Sequence, residues 1–263
     1  MDLSAIRINL VKIVRDAGEI AKKYFQNTDL KSESKGGVDF LTNADREVDD
    51  FISNKLKEHY PSYDLLTEER ATEDYINLHN SQNLFIVDPI DGTTNFSRGD
   101  RHYAISVGFV RNGNPLIGIV YLPSEEKLYW AQEDIDHAYC NENIIKTSDI
   151  SDLKLSSIGL DWAWSMEKRA KTHNWLKKIM SDIRQPRSLG SAASDLCLVA
   201  EGKLDGYLTA GVKPWDTAGA VLIVEKAGGI VLEPGGRKYS VFESDILAAN
   251  PMLTPKILSL IQK

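Results

Sequence analysis

Cysteine is scarce in this chain. Two are present in 263 residues, Cys140 and Cys197, far apart in sequence. A disulfide scaffold is therefore excluded, and both read as reduced core residues. Cys197 lies in Leu196-Cys197-Leu198-Val199, an apolar run that predicts a core helix. The five histidines, His59, His79, His102, His137 and His173, show no ligand spacing, which argues against a zinc site. No apolar stretch reaches the length that a membrane span requires. The opening residues, Met1-Asp2-Leu3-Ser4-Ala5-Ile6-Arg7, lack the basic and apolar regions of a signal peptide, so a cytoplasmic location is expected. There is no Lys/Arg-rich block and no basic–aromatic interleaving. With a net charge of −7, that argues against direct nucleic-acid binding. No linker or internal repeat is visible either, so residues 1–263 are expected to form one unit.

What is present is an ordinary globular pattern, 42% hydrophobic and 26% charged. Residues 3–26 carry Ile6, Leu10, Ile13, Val14, Ala17, Ile20, Ala21 and Tyr24, the spacing of an amphipathic helix. Residues 31–37 are polar and contain glycine, and read as a loop. A second helix is expected over about 43–59. Strands follow near 84–88, 103–111, 115–122 and 127–131, with Arg111-Asn112-Gly113-Asn114 as a hairpin turn. This first half, about 1–150, reads as α+β with an antiparallel sheet. Beyond it strand and helix alternate: strand 156–160, helix 166–181, helix 191–201, strand 204–208, helix 217–227, strands 229–232 and 246–249, helix 253–261. That alternation predicts an α/β half over about 151–263.

The densest chemistry lies in Asp88-Pro89-Ile90-Asp91-Gly92-Thr93-Thr94-Asn95-Phe96, directly after the apolar run Leu84-Phe85-Ile86-Val87. Pro89 removes a ladder hydrogen bond, which predicts that the strand stops there. Gly92 permits a sharp turn. The segment then presents two carboxylates, a free carbonyl at Ile90 and two hydroxyls. Oxygen ligands at that density suit a divalent cation such as Mg²⁺, and an ordinary Asp-Pro/Asp-Gly turn explains them equally well. Three further pieces have equally plain readings. Glu68-Glu69 after Leu65-Leu66-Thr67 is a solvated strand end. Asp216, in Pro214-Trp215-Asp216-Thr217-Ala218-Gly219-Ala220, is a helix N-cap before the buried helix Val221-Leu222-Ile223-Val224. Thr42 and Asp45 form a capping box before Val48, Phe51, Ile52 and Leu56.

Taken in order, however, these pieces make an acid, then Glu-Glu, then Asp-Pro-x-Asp-Gly-Thr, then Trp-Asp-x-Ala-Gly. In that order the chain resembles the inositol monophosphatase family of Mg²⁺-dependent, lithium-sensitive phosphatases. The resemblance extends through Asn95-Phe96-Ser97-Arg98-Gly99, Ala138-Tyr139-Cys140-Asn141, Gly190-Ser191-Ala192-Ala193 and Glu225-Lys226-Ala227-Gly228-Gly229, nearly the whole chain. It implies a layered α-β-α-β-α sandwich of the sugar-phosphatase type and a homodimer. It implies two to three Mg²⁺ ions: one on Glu68, Asp88 and the Ile90 carbonyl, one on Asp88, Asp91 and Asp216, and a looser one near Glu68. It assigns catalysis to Thr93, which takes a proton from an attacking water, with Asp45 behind it. Glu68 joins them through its ion.

For the substrate, the resemblance implies contacts from Asp91, Gly92, Thr93, Thr94, Gly190, Ser191, Ala192 and Asp216. Thr94-Asn95-Phe96 resembles the inositol monophosphatase branch, whereas a nucleotide-bisphosphatase branch more often carries Lys at the position of Thr94. One position departs from the pattern. Inositol-specific members carry Glu seven residues before the Trp-Asp aspartate, and here that position is Thr209. Lys213 stands three residues before Asp216, where it is expected to face a second anionic group. The expected function is thus Mg²⁺-dependent hydrolysis of an inositol monophosphate or a related small phosphate ester. The alternatives are a nucleotide 2′/3′-phosphatase acting on NADP or 3′-phosphoadenosine 5′-phosphate, a fructose-1,6-bisphosphatase, or a histidinol-phosphatase. In a different class, some relatives serve as regulatory partners of the transcription machinery.

Overall fold

The computed structural model describes residues 2–25, 32–36 and 39–263, with side chains described over 2–25 and 43–263. The chain opens with α1 (Leu3–Phe25), whose buried Ile6, Leu10, Ile13, Val14, Ala17 and Ala21 recur every three or four residues along one face. A hairpin follows, β1 (Ser32–Gly36) and β2 (Asp39–Thr42), running from Ser32 opposite Thr42 to Gly36 opposite Asp39. The loop expected over 31–37 is corrected here, because Ser32–Gly36 is a strand. Backbone pairing makes no demand for apolar side chains, so periodicity could not signal it. Lys31, Gly37 and the side chain of Thr42 lie outside the described residues. α2 (Asn43–His59) has the expected bounds.

A seven-stranded sheet is built next from β3 (Asp64–Thr67), β4 (Leu84–Asp91), β5 (Ala104–Arg111), β6 (Asn114–Leu122), β7 (Lys127–Gln132), β8 (Ala138–Cys140) and β9 (Asn143–Ile145), paired in sequence order. The pairs are antiparallel except β3 with β4, which is parallel. Asn112 and Gly113 turn the β5–β6 hairpin with φ of 48° and 72°, as the Asn-Gly signal predicts. The expected stop at Pro89 is corrected: β4 runs on to Asp91. Its ladder slips between Asp88, opposite Ser106, and Asp91, opposite Ala104. Pro89 sits in that bulge, where its missing N–H costs no ladder bond. A five-residue helix, α3 (Thr93–Ser97), follows at once.

The second sheet comprises β10 (Ser157–Gly159), β11 (Gln185–Arg187), β12 (Gly206–Ala210), β13 (Ile230–Leu232) and β14 (Asp245–Ala249), in the order β11-β10-β12-β14-β13. β10 lies parallel to β11 and β12, while β14 lies antiparallel to β12 and β13, so the sheet is mixed. The helices of this half are α4 (Met166–Ile179), α5 (Ala192–Ala200), α6 (Pro214–Ala218), α7 (Val221–Lys226) and α8 (Thr254–Ile261). The single helix expected over 217–227 is two, α6 and α7, separated at Gly219–Ala220. The short strands β8, β9 and β11 were not anticipated, since three residues give too brief an alternation to read.

The layers follow from which faces are apolar. α1 and α2 cover one face of the large sheet, packing Leu10, Val14, Ile52 and Leu56 on Phe85, Val87, Val107, Phe109 and Ile119. α5 and α7 fill the space between the sheets, with Leu196, Cys197 and Ile223 against Val120 and Tyr129 on one side and Tyr207, Ile246 and Ala248 on the other. α4 and α8 close the far face, with Trp175, Ile179 and Ile257 on Ile158, Leu208 and Leu247. This is the α-β-α-β-α sandwich. Both cysteines are buried and unpaired. Among the described residues no helix is long and apolar enough to cross a membrane.

One contact places the second half on the first. Gly108 and Gly118 pair across β5 and β6. Together they leave a flat patch on which the α6–α7 joint rests. A Cβ on Gly108 would come within 2.6 Å of the Ala218 carbonyl, and one on Gly118 within 2.5 Å of the Gly219 carbonyl. Only a residue without a side chain admits backbone that close. Gly108→Ala should therefore lift α6 and destabilise the fold by about 1–3 kcal/mol, the usual cost of overpacking. A thermal melt reads the loss, and an unchanged midpoint would contradict this packing argument.

Candidate active site

Asp88 and Asp91 flank the β4 bulge, and both are buried. The Asp88 carboxylate accepts the Ile90 N–H at 3.1 Å, a local turn that fixes its rotamer. Gly92, with φ of 92°, turns the chain into α3. A Cβ on it would also press on the His102 and Gly190 carbonyls at 3.1 and 3.2 Å. The first-turn amides of α3 have no intrahelical acceptors. The Thr93 hydroxyl lies 3.0 Å from Asp45 Oδ1 and 3.0 Å from the Ile90 carbonyl. That carbonyl is therefore not free as the sequence suggested. It takes part in Thr93's forked bond and keeps a second lone pair for another partner.

The second half of the chain closes on this segment through three contacts. Asn95 donates to the His102 carbonyl at 2.8 Å and to the Leu189 carbonyl at 2.7 Å, tying the 189–191 loop to α3. Asp91 Oδ2 accepts the Ser191 hydroxyl at 2.6 Å and the Ala193 N–H at 2.7 Å, at the start of α5. Ser191 thus supports Asp91 and is itself buried. Asp216 is not the N-cap of α6. It is the third residue, and its Oδ2 accepts the Lys213 N–H at 2.8 Å.

Glu68, Asp88, Ile90, Asp91, Gly92, Thr93, Thr94, Gly190, Ala192, Thr209, Lys213 and Asp216 all line one cleft of about 730 Å³. Of the residues singled out in the sequence, Asp45 and Ser191 stand behind it. Thr209 is nearly fully buried, and its hydroxyl donates to the Asp161 carbonyl at 2.8 Å. Lys213 is exposed, with its ammonium 5.8 Å over the Tyr75 ring.

The electrostatics of the cleft floor are those of crowded like charges. Burial, then repulsion from Glu68, Asp91, Asp216 and Asp45, holds the Asp88 carboxyl well above its usual range. Burial pushes Asp91 up to about 6 against the Ser191 and Ala193 bonds that favour its charge. Asp216 is raised well above its usual range, first by burial and then by Asp91. Among the described residues no group of three or more His, Cys, Asp or Glu side chains closes into a metal cage. Each of these aspartates is instead turned onto a backbone or hydroxyl donor. The donor set still fits a hard divalent cation: carboxylates and a carbonyl, all oxygen, with carboxylates close enough to repel one another.

Sequence reading missed four groups around this floor. Asp161 follows β10 and lines the cleft, and an acid directly after the strand expected at 156–160 is the signal that points to it. Tyr207 donates to it from β12. His102 and Asp195 pair at 2.8 Å across 93 residues, a separation at which no local pattern exists. Burial opposes charge on His102, yet the Asp195 bond outweighs it and raises its pKa. Asp195 itself is pushed up to about 7 by burial.

Known proteins match this chain over nearly its whole length. The model of the inositol monophosphatase family matches residues 2–263. Inositol monophosphatase 1 of Solanum lycopersicum is 34% identical over 257 residues, 96% of this chain and 93% of that protein. Nus factor SuhB of Pasteurella multocida is 31% identical over 254 residues, 96% of this chain and 94% of its own. The solved structure of extragenic suppressor protein suhB from Bartonella henselae superposes with a TM-score of 0.90 at 28% identity, covering 98% of this chain and 99% of that one. The chain belongs to the inositol monophosphatase family, and membership of that generally metal-dependent family supports a phosphatase, hence a hydrolase, activity.

Proposed function

We propose that the protein hydrolyses a small phosphate monoester, an inositol monophosphate or a related ester, with Mg²⁺ as the cation. The observation that carries this reading is the meeting of Glu68, Asp88, Asp91 and Asp216 in one cleft beside the Thr93–Asp45 hydrogen bond. In this reading Glu68, Asp88 and the Ile90 carbonyl would hold one ion, and Asp88, Asp91 and Asp216 a second, with a third, looser ion near Glu68. Bound there, the cation neutralises the phosphate, lowers the pKa of water and stabilises the leaving alkoxide.

The chain's own groups do the rest. Thr93 Oγ1 takes the proton of the attacking water and directs its own toward Asp45 along their 3.0 Å bond. Asp45 is buried, so its position is fixed by packing as well as by that bond. The amides of Gly92, Thr93 and Thr94, at the cleft where α3 begins, orient the phosphoryl oxygens. Ser191 and the Ala193 N–H keep Asp91 from rotating away. Among the described residues no cysteine or histidine lines the cleft, and in this reading the attacking group is water.

The direct test is phosphate release with Mg²⁺ from inositol 1-phosphate, NADP, fructose 1,6-bisphosphate and histidinol phosphate. At least one ester should be hydrolysed, EDTA should abolish the release, and added Mg²⁺ should restore it. Full release in metal-free buffer would contradict the reading. Thr93→Ala should lower turnover roughly 10²–10⁴-fold, the scale of general acid–base help, with little change in the Mg²⁺ concentration for half activity. A loss confined to KM would assign Thr93 to binding.

Stability should report the cleft floor independently. Burial pushes Asp91 up to about 6 in the fold, against about 3.9 in the unfolded chain. Its folded pKa is raised, so the associated stability is complete below about pH 4 and is lost as pH rises through about 6. Asp88 and Asp216 act in the same direction. A cation that displaces those protons binds better as they leave. The rise in melting temperature on adding Mg²⁺ should therefore be larger at pH 7.5 than at pH 5. An equal rise at both would rule out these carboxylates as the ligands.

A further inference from the structure

Of the acids that line the cleft floor, Glu68 stands on backbone with little support of its own. It opens a single turn of 3-10 helix, Glu68–Arg70, which buries no side chain and has no side-chain cap. The backbone bond that closes the turn, from the Ala71 N–H to the Glu68 carbonyl, is long at 3.4 Å. The helical stretch that follows, Glu73–Asn80, buries no side chain either. A 3-10 turn has poorer hydrogen-bond geometry than an α-helix, so a carboxylate on one keeps its place through outside contacts. Upstream, β3 and the buried Thr67 supply them. Downstream, Arg70 reaches across to α2.

Arg70 Nε donates to Asp49 Oδ2 at 2.6 Å, and a terminal nitrogen donates to Asp50 Oδ1 at 2.5 Å. The two acids are adjacent on α2, and a planar guanidinium that grips both fixes direction as well as distance. Asp49 is nearly fully buried, and its other oxygen, Oδ1, has no partner among the described residues. Its pairing with Arg70 is therefore unlike an exposed ion pair of little weight. Arg70 itself is exposed, so its replacement opens no cavity. Asp45, which accepts from Thr93, precedes Asp49 by four residues, so both carboxylates leave α2 on one face. One helix thus carries the partner of Thr93 and the anchor of the Glu68 turn.

We propose that Arg70 is a positioning residue: by tying the Glu68 turn to Asp49 and Asp50 it holds the Glu68 carboxylate in register with Asp88, and so sets the affinity of the cleft for Mg²⁺. This rests on the phosphomonoesterase reading of the cleft. Charge alone works the other way. Arg70 is a cation two residues from Glu68, and its removal frees two carboxylates, which would attract Mg²⁺ more strongly. Positioning and charge therefore predict opposite signs when Arg70 is replaced.

The test titrates Mg²⁺ into the whole chain after EDTA treatment and dialysis. It reads the heat of binding and the rise in melting temperature, and separately follows phosphate release from an ester that the wild type hydrolyses. In Arg70→Ala the Mg²⁺ concentration for half-saturation should rise roughly 10-fold or more in the binding and activity titrations, the usual loss when a group that orients a metal ligand is removed. Turnover at saturating Mg²⁺ should change far less, because the Thr93–Asp45 bond is untouched. Arg70→Lys keeps the charge and loses the two-pronged grip, so its half-saturation should lie between those of the wild type and Arg70→Ala. Where Arg70→Ala fails to fold, Arg70→Lys decides in its place. An unchanged or lower half-saturation overturns the proposal. So does a fall in melting temperature or turnover with Mg²⁺ binding unaltered, which marks a purely structural role. In those cases the wild type still binds Mg²⁺ and releases phosphate, and the phosphatase reading stands. A wild type that neither binds Mg²⁺ nor releases phosphate overturns that reading and this proposal with it.

Discussion

Like-charge repulsion at one buried place governs the architecture around the cleft. Glu68, Asp88, Asp91 and Asp216 come from three segments of the chain, and three of them carry carboxyls pushed upward first by burial and then by neighbouring acids. A fold does not gather such groups without holding each in place. Here the holding is done by neutral donors: the Ile90 amide for Asp88, Ser191 and the Ala193 amide for Asp91, the Lys213 amide for Asp216. Neutral donors orient a carboxylate without cancelling its charge. A lysine or arginine in the same role would have neutralised it and left a cation no reason to bind.

The layers supply the rigidity that this requires. β4 is buried on both faces, with Phe85 and Val87 toward α1 and α2, and Leu84 and Ile86 toward Ala218 of α6. Its bulge therefore projects Asp88 and Asp91 from a strand that cannot rotate. The glycine pair on β5 and β6 brings α6 to within backbone contact of the sheet, and that approach carries Asp216 to the floor. Asn95 performs the corresponding task on the other side, clamping the 189–191 loop to α3. The site is thus an interface between the two halves of the sandwich, with neither half holding it alone.

Function divides along the same line. The floor is acidic and supplied mainly by the first half, and it suits a cation and a phosphate. The wall around Asp161 and Tyr207 belongs to the second half and carries acceptors and aromatic surface. The wall residues are also partners to one another, so a change at Thr209 would act on Asp161 through their hydrogen bond. That coupling bears on the departure noted at this position. A threonine there supports a neighbouring acid, and a glutamate would set a second negative charge beside it.

The chain by itself determined the helices α1 and α2, the β5–β6 hairpin and the acidic segment after Val87. Each rests on short-range periodicity or on turn chemistry that acts within a few residues. It also determined the family, because an ordered set of acids in fixed local contexts is a pattern that composition cannot mimic. Tertiary structure decided what those acids do. It converted Pro89 from a strand stop into a bulge, since the partner strand β5 was free to slip. It moved Asp216 from the N-cap to the third position of α6, where its carboxylate accepts the Lys213 N–H, and it set the Ser191 hydroxyl on Asp91. It brought His102 to Asp195 and Asp161 to Tyr207 and Thr209 across tens of residues. Hydrogen bonds and charge repulsion depend on distance in space, and the chain alone specifies only distance along itself.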